Sequence, residues 1–414
     1  MLTLVFVLFF SCYFFCLRRV ALPLCACICL LTFILLYEIF GAFFFTALPK
    51  PNINYWLFLF GFVYFSLWFS TFFWLGRYGL LGVLLHSLIM VFPSLSKVML
   101  PLHPFILFYP KSEFLLPSTH YPLLNLFCLF FISGLIFCKS SHPLKVGVLL
   151  LLLCTFSLKN IYINDAPHKS DIKIAVVQVG LYFEKGGNTT DFLNDLLAFL
   201  DKHPKVNSIV FSENNVFSFK NPYNENLSEK LLNDIKKLNL QRKFHFFLSF
   251  NGYKDFNNIV TLYLFGDEMR LNQKKTLIPF IEKSGFFNKR NDMSSEYYYI
   301  YKSHENSLFN IMGTSVSTYI CYDALFPEMK ANWGNVVLIQ SNYKLLDKGY
   351  GYDKLKYFAT YLAKFLNGMQ SQVVINVQNY GGTVVLYNDW RIDHSIYETS
   401  RNEPFFILDT GKLG

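Results

Sequence analysis

Three chemically reactive side chains follow predicted strands in the second half of the sequence, in the order carboxylate, ammonium and thiol. Glu213 directly follows a short buried strand predicted over 208–212. Lys274 precedes the apolar run Leu-Ile-Pro-Phe, and Cys321 lies where the strand predicted over 316–320 gives way to a helix. Because active sites in α/β proteins gather where strands end, we expect the three side chains to share one site.

A cysteine thiol is a strong nucleophile only after it loses its proton, and a nearby carboxylate such as that of Glu213 can accept this proton. A helix N-terminus also lowers the pKa of a thiol. Attack of Cys321 on a carbonyl carbon would create an oxyanion, which the ammonium of Lys274 and a backbone N–H can stabilise. These residue types in this order therefore predict a catalytic Glu-Lys-Cys triad that acts on acyl groups.

Each of the three also has a structural interpretation when it is taken alone. An acid after a strand is often a helix cap. A lysine pair before a proline is typical of a solvated turn, and a free cysteine is often a buried packing residue. The placement of all three at strand ends favours the catalytic interpretation over these alternatives.

An alternation of strands and helices begins at Ile172 and favours an α/β sandwich over an all-β domain. The predicted strands are 172–179, 208–212, 244–250, 259–265, 308–311, 316–320, 336–339, 373–377 and 383–386. The predicted helices are 191–200, 227–238 and 355–366. Beyond these elements we expect a polar, loop-like tail.

The order Glu213, Lys274, Cys321 is similar to the catalytic triad of the nitrilase superfamily, whose members share an α-β-β-α sandwich. The Lys-x-x-Leu-Ile-Pro-Phe-x-Glu segment at 274–282 and the Cys-Tyr-Asp segment at 321–323 look more specifically like apolipoprotein N-acyltransferase. In that family the same kind of domain follows a multi-span membrane domain. The resemblance therefore implies an α/β nitrilase-type sandwich behind a helical membrane domain.

The resemblance also implies a two-step acyl transfer that uses no cofactor. Cys321 would attack the ester of a phospholipid acyl chain and hold the chain as a thioester. Glu213 would act as general base and then as general acid, while Lys274 would stabilise the oxyanion. The acceptor would be the N-terminal cysteine amine of a diacylglyceryl-lipoprotein. The implied partners are thus a phospholipid donor, an apolipoprotein acceptor and a membrane.

Supporting residues follow from the same resemblance. Glu282 matches a glutamate that supports the lysine, and Tyr322 and Asp323 match positions beside the nucleophile, where Asp replaces the usual Glu. The segments 341–342 and 379–383 are similar to the Ser-Asn and Asn-x-Gly-x-Thr turns of the family, which shape the pocket.

The chain departs from the family pattern at several positions. Ser212 stands where the family usually has the Pro of Trp-Pro-Glu, and Ile281 stands where it has the Gly of Pro-Phe-Gly-Glu. The Glu-x-Gly-Arg pattern is absent from 367–370, and the final apolar span expected after the catalytic domain is missing. The triad is intact despite these differences, whereas the substrate-binding loops depart from the family pattern, so the resemblance supports the reaction class more strongly than the acceptor.

Charge and cysteine content divide the chain into two parts. Residues 1–160 hold nine Lys or Arg and two Glu, so they carry +7 of the net charge of +9. Eight of the nine cysteines also lie there, which leaves Cys321 alone in residues 161–414. The basic residues flank apolar runs, which indicates membrane flanks rather than a nucleic-acid surface. Nine histidines without paired spacing imply no metal site.

A transmembrane helix needs about 20 apolar residues. Residues 1–160 are therefore predicted to form a membrane domain of about six helices, with the spans 2–17, 20–37, 55–75, 80–92, 123–138 and 146–158. The proline-interrupted segment 93–122 is predicted to be a loop or re-entrant segment. The positions of the basic residues then favour an outer N-terminus. They place the catalytic domain, 161–414, on the periplasmic side of a bacterial inner membrane.

Three functions are compatible with these observations. The first is a membrane acyltransferase that N-acylates lipoproteins. The second is a membrane-anchored nitrilase-like amidase, or a divergent relative such as a conjugal-transfer accessory protein, with another acyl or amide substrate. The third is a catalytically inactive nitrilase fold that serves as a membrane interaction module. The intact triad favours the first two.

Overall fold

The computed structural model describes residues 75, 78–95, 122–137, 142, 144–148, 172–220, 222–254, 256–278, 282, 308–327, 334–344, 352–367 and 371–412. The described residues fall into two compact units. The first unit contains two helices from the first third of the chain and the beginning of the helix Tyr352–Asn367, and the second contains two β-sheets, the rest of that helix and the other flanking helices.

The two complete helices of the first unit are α1 (Gly79–Leu95) and α2 (Pro122–Phe137), and both are apolar along most of their length. They pack against each other through a small cluster that includes Val83 and Leu135. A Cβ added at Gly134 would come within 2.8 Å of Val83 Cγ1, so the absence of a side chain there allows the close approach.

The prediction of a multi-span membrane domain is wrong for the part of the chain that the structure describes. The helices α1 and α2 coincide with the spans predicted at 80–92 and 123–138, but they have only 17 and 16 residues. At 1.5 Å per residue each helix is about 25 Å long, shorter than a hydrocarbon core of about 30 Å. No helix within the described residues combines the length and apolarity needed to cross a bilayer.

The predicted localisation depended on those spans and is corrected with them. The assignment to an inner membrane with a periplasmic catalytic domain rested on several membrane-crossing helices, and the described residues contain none. The spans predicted at 2–17 and 20–37, with nearly all of 55–75 and 146–158, lie outside the described residues.

The second unit is built on two sheets. The first sheet consists of β1 (Lys173–Val177), β2 (Ser208–Phe211), β3 (His245–Tyr253), β4 (Phe256–Phe265), β5 (Glu268–Gln273) and β11 (Phe405–Asp409). The second sheet consists of β6 (Leu308–Ile311), β7 (Thr314–Ile320), β8 (Val336–Ser341), β9 (Val373–Gln378) and β10 (Val384–Tyr387). Their strands are rich in Val, Ile and aromatic residues, which suit a pleated and buried surface.

The strand order is β11-β1-β2-β3-β4-β5 in the first sheet and β10-β9-β8-β7-β6 in the second. The pairs β1–β2, β2–β3, β7–β8 and β8–β9 are parallel, and the remaining pairs are antiparallel. Each sheet therefore has a parallel centre whose carboxyl ends lie side by side at one edge.

The two sheets pack face to face. Their shared core contains Val176 and Val210 from the first sheet and Leu338 and Ile375 from the second. Gln340 adds a polar link between the sheets, because its amide nitrogen donates to Phe211 O at 2.6 Å. Removal of this apolar interface from water supplies much of the driving force for folding.

Helices cover the outer faces of both sheets. They are α3 (Val179–Glu184), α4 (Phe192–Asp201), α5 (Pro222–Arg242), α6 (Tyr352–Asn367) and α7 (His394–Asn402). Leu196 of α4 and Ile235 of α5 belong to the core on the outer face of the first sheet. Thr360 of α6 accepts a hydrogen bond from Asn376 of β9 at 2.9 Å. The layers are thus helix, sheet, sheet and helix.

The tail after residue 386 is not loop-like, so that prediction is also wrong. Asp393 caps α7 by accepting a hydrogen bond from the Ile396 N–H at 2.9 Å, which starts a helix in a polar stretch. Strand β11 then pairs antiparallel with β1 and completes the edge of the first sheet. The apolar run Phe-Phe-Ile-Leu at 405–408 was the available signal for this strand, and the sequence interpretation missed it.

Candidate active site

Cys321 lies at the junction of β7 and a 3-10 turn, Cys321–Leu325. Its φ angle is +46°, in the left-handed region that few residues other than glycine adopt, and its exposed fraction is 1%. Backbone strain of this kind costs about 1–3 kcal/mol and is found most often at functional sites. The turn places the sulfur at the carboxyl edge of the parallel strands β7 and β8.

Glu213 follows β2 and its exposed fraction is 5%. The next residue, Asn214, holds the turn that carries it. The Asn214 amide nitrogen donates to Ser212 O at 3.2 Å and to Ser249 O at 3.1 Å, and its Oδ1 accepts from Phe217 N at 3.0 Å. Asn214 therefore fixes the backbone around the carboxylate, a role that the sequence interpretation missed. An Asn directly after the acid, a common turn residue, was the available signal.

Lys274 follows β5, and its side chain is fully buried. Its ammonium Nζ lies 2.9 Å from Glu213 Oε1 and 2.6 Å from Glu282 Oε1. The other oxygen of Glu282 accepts a hydrogen bond from the Ile278 N–H at 2.8 Å. The lysine thus bridges two carboxylates, and one of them also closes the loop that follows the lysine.

Asp323 joins the segment that carries the lysine to the turn that carries the thiol. Its carboxylate accepts hydrogen bonds from the backbone N–H groups of Lys275, at 2.8 Å, and Thr276. Asp323 is two residues after Cys321, and the two residues that donate to it directly follow Lys274, so these hydrogen bonds couple the two segments. Tyr322 lies in the same turn, and burial raises the pKa of its phenol.

The charges of the cluster interact strongly because water is excluded. Burial raises the pKa of Glu213, although the ammonium of Lys274 acts in the opposite direction. Burial, followed by the charge of Glu213, raises the pKa of the Cys321 thiol well above its ordinary value, while Lys274 and the backbone N–H of Asn342 lower it. Burial also disfavours the charge on Lys274, but the carboxylates of Glu213 and Glu282 outweigh burial and raise the lysine pKa.

The resting site therefore holds a neutral thiol beside an ammonium at neutral pH. Glu213 Oε1 is engaged by Lys274, whereas Glu213 Oε2 is buried and has no hydrogen-bond partner within the described residues. The Cys321 thiol is close enough to lower the pKa of this carboxyl. One carboxylate oxygen is thus available to receive the thiol proton when a substrate enters.

The structure brings Glu213, Lys274, Glu282 and Cys321 into one buried cluster, with Tyr322 and Asp323 beside it. The backbone N–H of Asn342 was not singled out from the sequence, although the Ser-Asn pair at 341–342 was. Backbone donors leave no mark in residue types, so only the fold could identify this one. The cluster is chemically equipped for nucleophilic attack on a carbonyl or nitrile carbon.

No protein-family model and no curated protein sequence matches the chain. Among solved structures, a carbon-nitrogen hydrolase from Helicobacter pylori G27 is similar with 14% identity and a TM-score of 0.38, over 59% of this chain and 92% of that one. An amidase from Nesterenkonia sp. has 13% identity and a TM-score of 0.35, over 54% and 86%.

A glutamine-dependent NAD+ synthetase from Acinetobacter baumannii has 17% identity and a TM-score of 0.38, over 57% of this chain and 45% of that one. At these identities and TM-scores, the chemistry of the site has to be inferred from its own geometry.

Proposed function

We propose that the chain is an enzyme of the nitrilase superfamily that transfers acyl groups through a thioester at Cys321. The observation that carries the proposal is the position of the fully buried Lys274 ammonium, 2.9 Å from Glu213 and 2.6 Å from Glu282. Keeping three ionisable groups and a strained cysteine together in the interior is costly. Such an arrangement is typical of active sites.

In the first half of the reaction, Glu213 Oε2 accepts the thiol proton while the sulfur forms a bond to the carbonyl carbon. The carbonyl oxygen becomes an oxyanion, which the Lys274 ammonium stabilises. The tetrahedral intermediate then collapses, the bond to the leaving group breaks, and Glu213 returns the proton to that group. The acyl group remains on Cys321 as a thioester.

In the second half, an amine or water attacks the thioester carbon and Glu213 accepts a proton from it. Collapse of the second intermediate releases the acylated product, and the sulfur leaves and is reprotonated by Glu213. The finer form of the proposal takes a phospholipid as acyl donor and the N-terminal cysteine amine of a diacylglyceryl-lipoprotein as acceptor. It is supported by the motif resemblance at 274–282 and 321–323.

The test of the first half uses the full-length chain and a phospholipid with a labelled acyl chain. A label that stays on the protein and is released by hydroxylamine is expected for the wild type, since hydroxylamine cleaves thioesters. Cys321→Ala should carry none. An adduct that survives this substitution would refute the assigned nucleophile.

The acceptor is tested by complementation of a bacterial host depleted of its own lipoprotein N-acyltransferase, with Cys321→Ala as the control. Rescue by the wild type alone supports the lipoprotein acceptor. If labelled simple amides form the adduct and phospholipids do not, the substrate is an amide and water is the acceptor. Absence of any adduct with both donor classes would contradict the enzyme proposal and favour an inactive fold.

A further inference from the structure

A second polar cluster lies next to the triad and shares no side chain with it. Ser212 and Asn379 are both buried, with exposed fractions of 0% and 1%. The Ser212 hydroxyl donates to Asn379 Oδ1 at 2.7 Å and accepts from the Val179 N–H at 3.2 Å. The same Asn379 oxygen accepts from the Gly180 N–H at 2.7 Å. We refer to this contact as the Ser212–Asn379 pair.

The backbone of Asn379 extends the cluster in two directions. Its N–H donates to Ser341 O at 3.0 Å, and its carbonyl accepts from the Leu181 N–H at 2.9 Å. Ser341 ends β8, and the next N–H along the chain, that of Asn342, lowers the pKa of Cys321. Asn379 is therefore attached to the segment that presents a backbone donor to the thiol.

Ser212 belongs to the segment that carries the other group beside the thiol, the Glu213 carboxylate. It directly precedes Glu213, and its own N–H donates to Val177 O at 2.9 Å, which extends the first sheet beyond β2. The Ser212–Asn379 pair thus connects the strand end that carries the carboxylate to the strand end that carries the Asn342 N–H. These two groups belong to different sheets.

Gly180 shows how closely α3 approaches the segment that contains Asn379 and Tyr380. A Cβ added there would lie 2.5 Å from the Tyr380 ring and 2.8 Å from Asn379 Nδ2. A side chain at position 180 would clash with both residues, so the close approach of α3 to Asn379 depends on glycine there. The Ser212–Asn379 pair is thus held by contacts to α3, to Val177 at the end of β1 and to Ser341 at the end of β8.

We propose that Ser212 and Asn379 are positioning residues that hold the Glu213 carboxylate and the Asn342 N–H at their working distances from Cys321. The inference deepens the proposed function and rests on it for the roles of Glu213 and Cys321. It also gives a reason for serine at a position where the resembling family has proline. A proline has no hydroxyl to join the two sheets, so here the joint is made by a side-chain hydrogen bond.

The test measures how fast iodoacetamide alkylates Cys321 in the full-length chain at neutral pH, by peptide mass spectrometry. Displacement of a catalytic group by about 1 Å can cost about 100-fold in rate. We therefore expect Ser212→Ala to slow the alkylation by at least about tenfold, and to alter its dependence on pH through the misplaced base.

The matched control is Thr360→Val. It removes a hydroxyl from another buried hydroxyl–amide contact, Thr360–Asn376 at 2.9 Å, which does not involve the triad. We expect it to lower the unfolding temperature about as much as Ser212→Ala does, with an alkylation rate within about twofold of wild type. Equal alkylation rates in the two variants would overturn the proposal.

Two further variants keep the test decisive. Ser212→Thr retains the hydroxyl and should recover most of the rate, and a folded Ser212→Thr as slow as Ser212→Ala would contradict the assigned role of the hydroxyl. If Ser212→Ala does not fold, Asn379→Ser removes the shared acceptor from the opposite side, and an unchanged rate would overturn the inference. Alkylation needs no acyl donor, so failure of the thioester assay would refute the proposed function without deciding this comparison.

Discussion

Two buried polar regions lie at opposite ends of the strands of the first sheet. They differ in how their polar groups are compensated for the loss of water. At the carboxyl end, Lys274 and Glu213 keep their charges and compensate them with an ion pair at 2.9 Å. At the amino end, His245 Nδ1 forms a 2.9 Å hydrogen bond with the Tyr263 hydroxyl, and the imidazole stacks on Phe265 with ring centroids 3.9 Å apart.

The two regions differ in protonation as well as in geometry. Burial lowers the pKa of His245 to about 4 and raises that of Tyr263 to about 12, so both groups are neutral at pH 7. The neutral pair can be satisfied by one hydrogen bond. The charged cluster needs several compensating partners, which is the arrangement expected where charge is used in chemistry rather than only tolerated. Substitutions in both regions test this distinction.

Glu213→Gln is expected to have the largest effect, which is on the rate of thioester formation. The amide cannot accept the thiol proton, so thioester formation should slow by about 10²–10⁴-fold, the usual contribution of general base catalysis. The rate is measured with the labelled donor that forms the adduct. A variant that keeps wild-type activity would show that another group is the base.

Protonation of Glu213 should also set the acid limb of the pH profile of wild-type activity. The base acts only when it is deprotonated, and burial raises the pKa of Glu213. Activity should therefore fall at a higher pH than the ordinary glutamate pKa of about 4.3 would give. The rate of thioester formation, measured across acidic and neutral pH, locates the limb, and an acid limb at the ordinary value would contradict the assignment.

Lys274→Met is expected to have the next largest effect, which is on stability. The substitution leaves two carboxylates close together in the interior without their cation, which should lower the free energy of unfolding by about 3–5 kcal/mol. The loss should shrink as the pH falls through the raised pKa of Glu213, because protonation removes one of the charges. Denaturant titrations at neutral and acidic pH measure both values.

A matched control is Lys173→Met. Lys173 forms a 3.2 Å salt bridge with Asp409, but the two side chains are 27% and 20% exposed. Partly solvated pairs of this kind contribute about 0–1 kcal/mol. If Lys173→Met were as destabilising as Lys274→Met, burial would not be the reason why loss of Lys274 destabilises the protein.

A smaller effect is expected from Asp323→Asn. The neutral amide is a weaker acceptor for the backbone N–H groups of Lys275 and Thr276, which should cost about 1–3 kcal/mol and loosen the segment that carries Lys274. Thermal unfolding and the rate of thioester formation should both decline. Asp323→Glu keeps the carboxylate and should retain more of both than the amide does, and the reverse order would contradict the role of the charge.

The smallest effect is expected at the neutral end, in Tyr263→Phe. It removes the hydrogen bond to His245 and should lower stability by about 1 kcal/mol, with no change in thioester formation. His245→Phe should also reduce the loss of wild-type stability between about pH 6.5 and pH 4. In that window the unfolded histidine binds a proton that the folded one does not. Loss of activity in Tyr263→Phe would mean that the two regions are coupled.

Much of the local structure was predictable because it depends on local pattern. The strands around 208–212, 316–320 and 373–377 were evident from their β-branched and apolar runs, and the structure has strands there. The helices α1 and α2 were also located correctly, but their interpretation as membrane spans was wrong. Apolar composition indicates a buried helix, and only the helix ends decide whether it is long enough to span a bilayer.

By itself the sequence determined the order of a carboxylate, an ammonium and a thiol at strand ends, and hence the kind of chemistry to expect. Only the tertiary structure decided that Lys274 bridges Glu213, 61 residues away, and Glu282. It also decided that Ser212 meets Asn379, 167 residues away, and that a backbone N–H faces the thiol. The reason is physical. Residue types specify which groups can carry charge or donate hydrogen bonds, whereas the packing of two sheets determines which of them meet away from water.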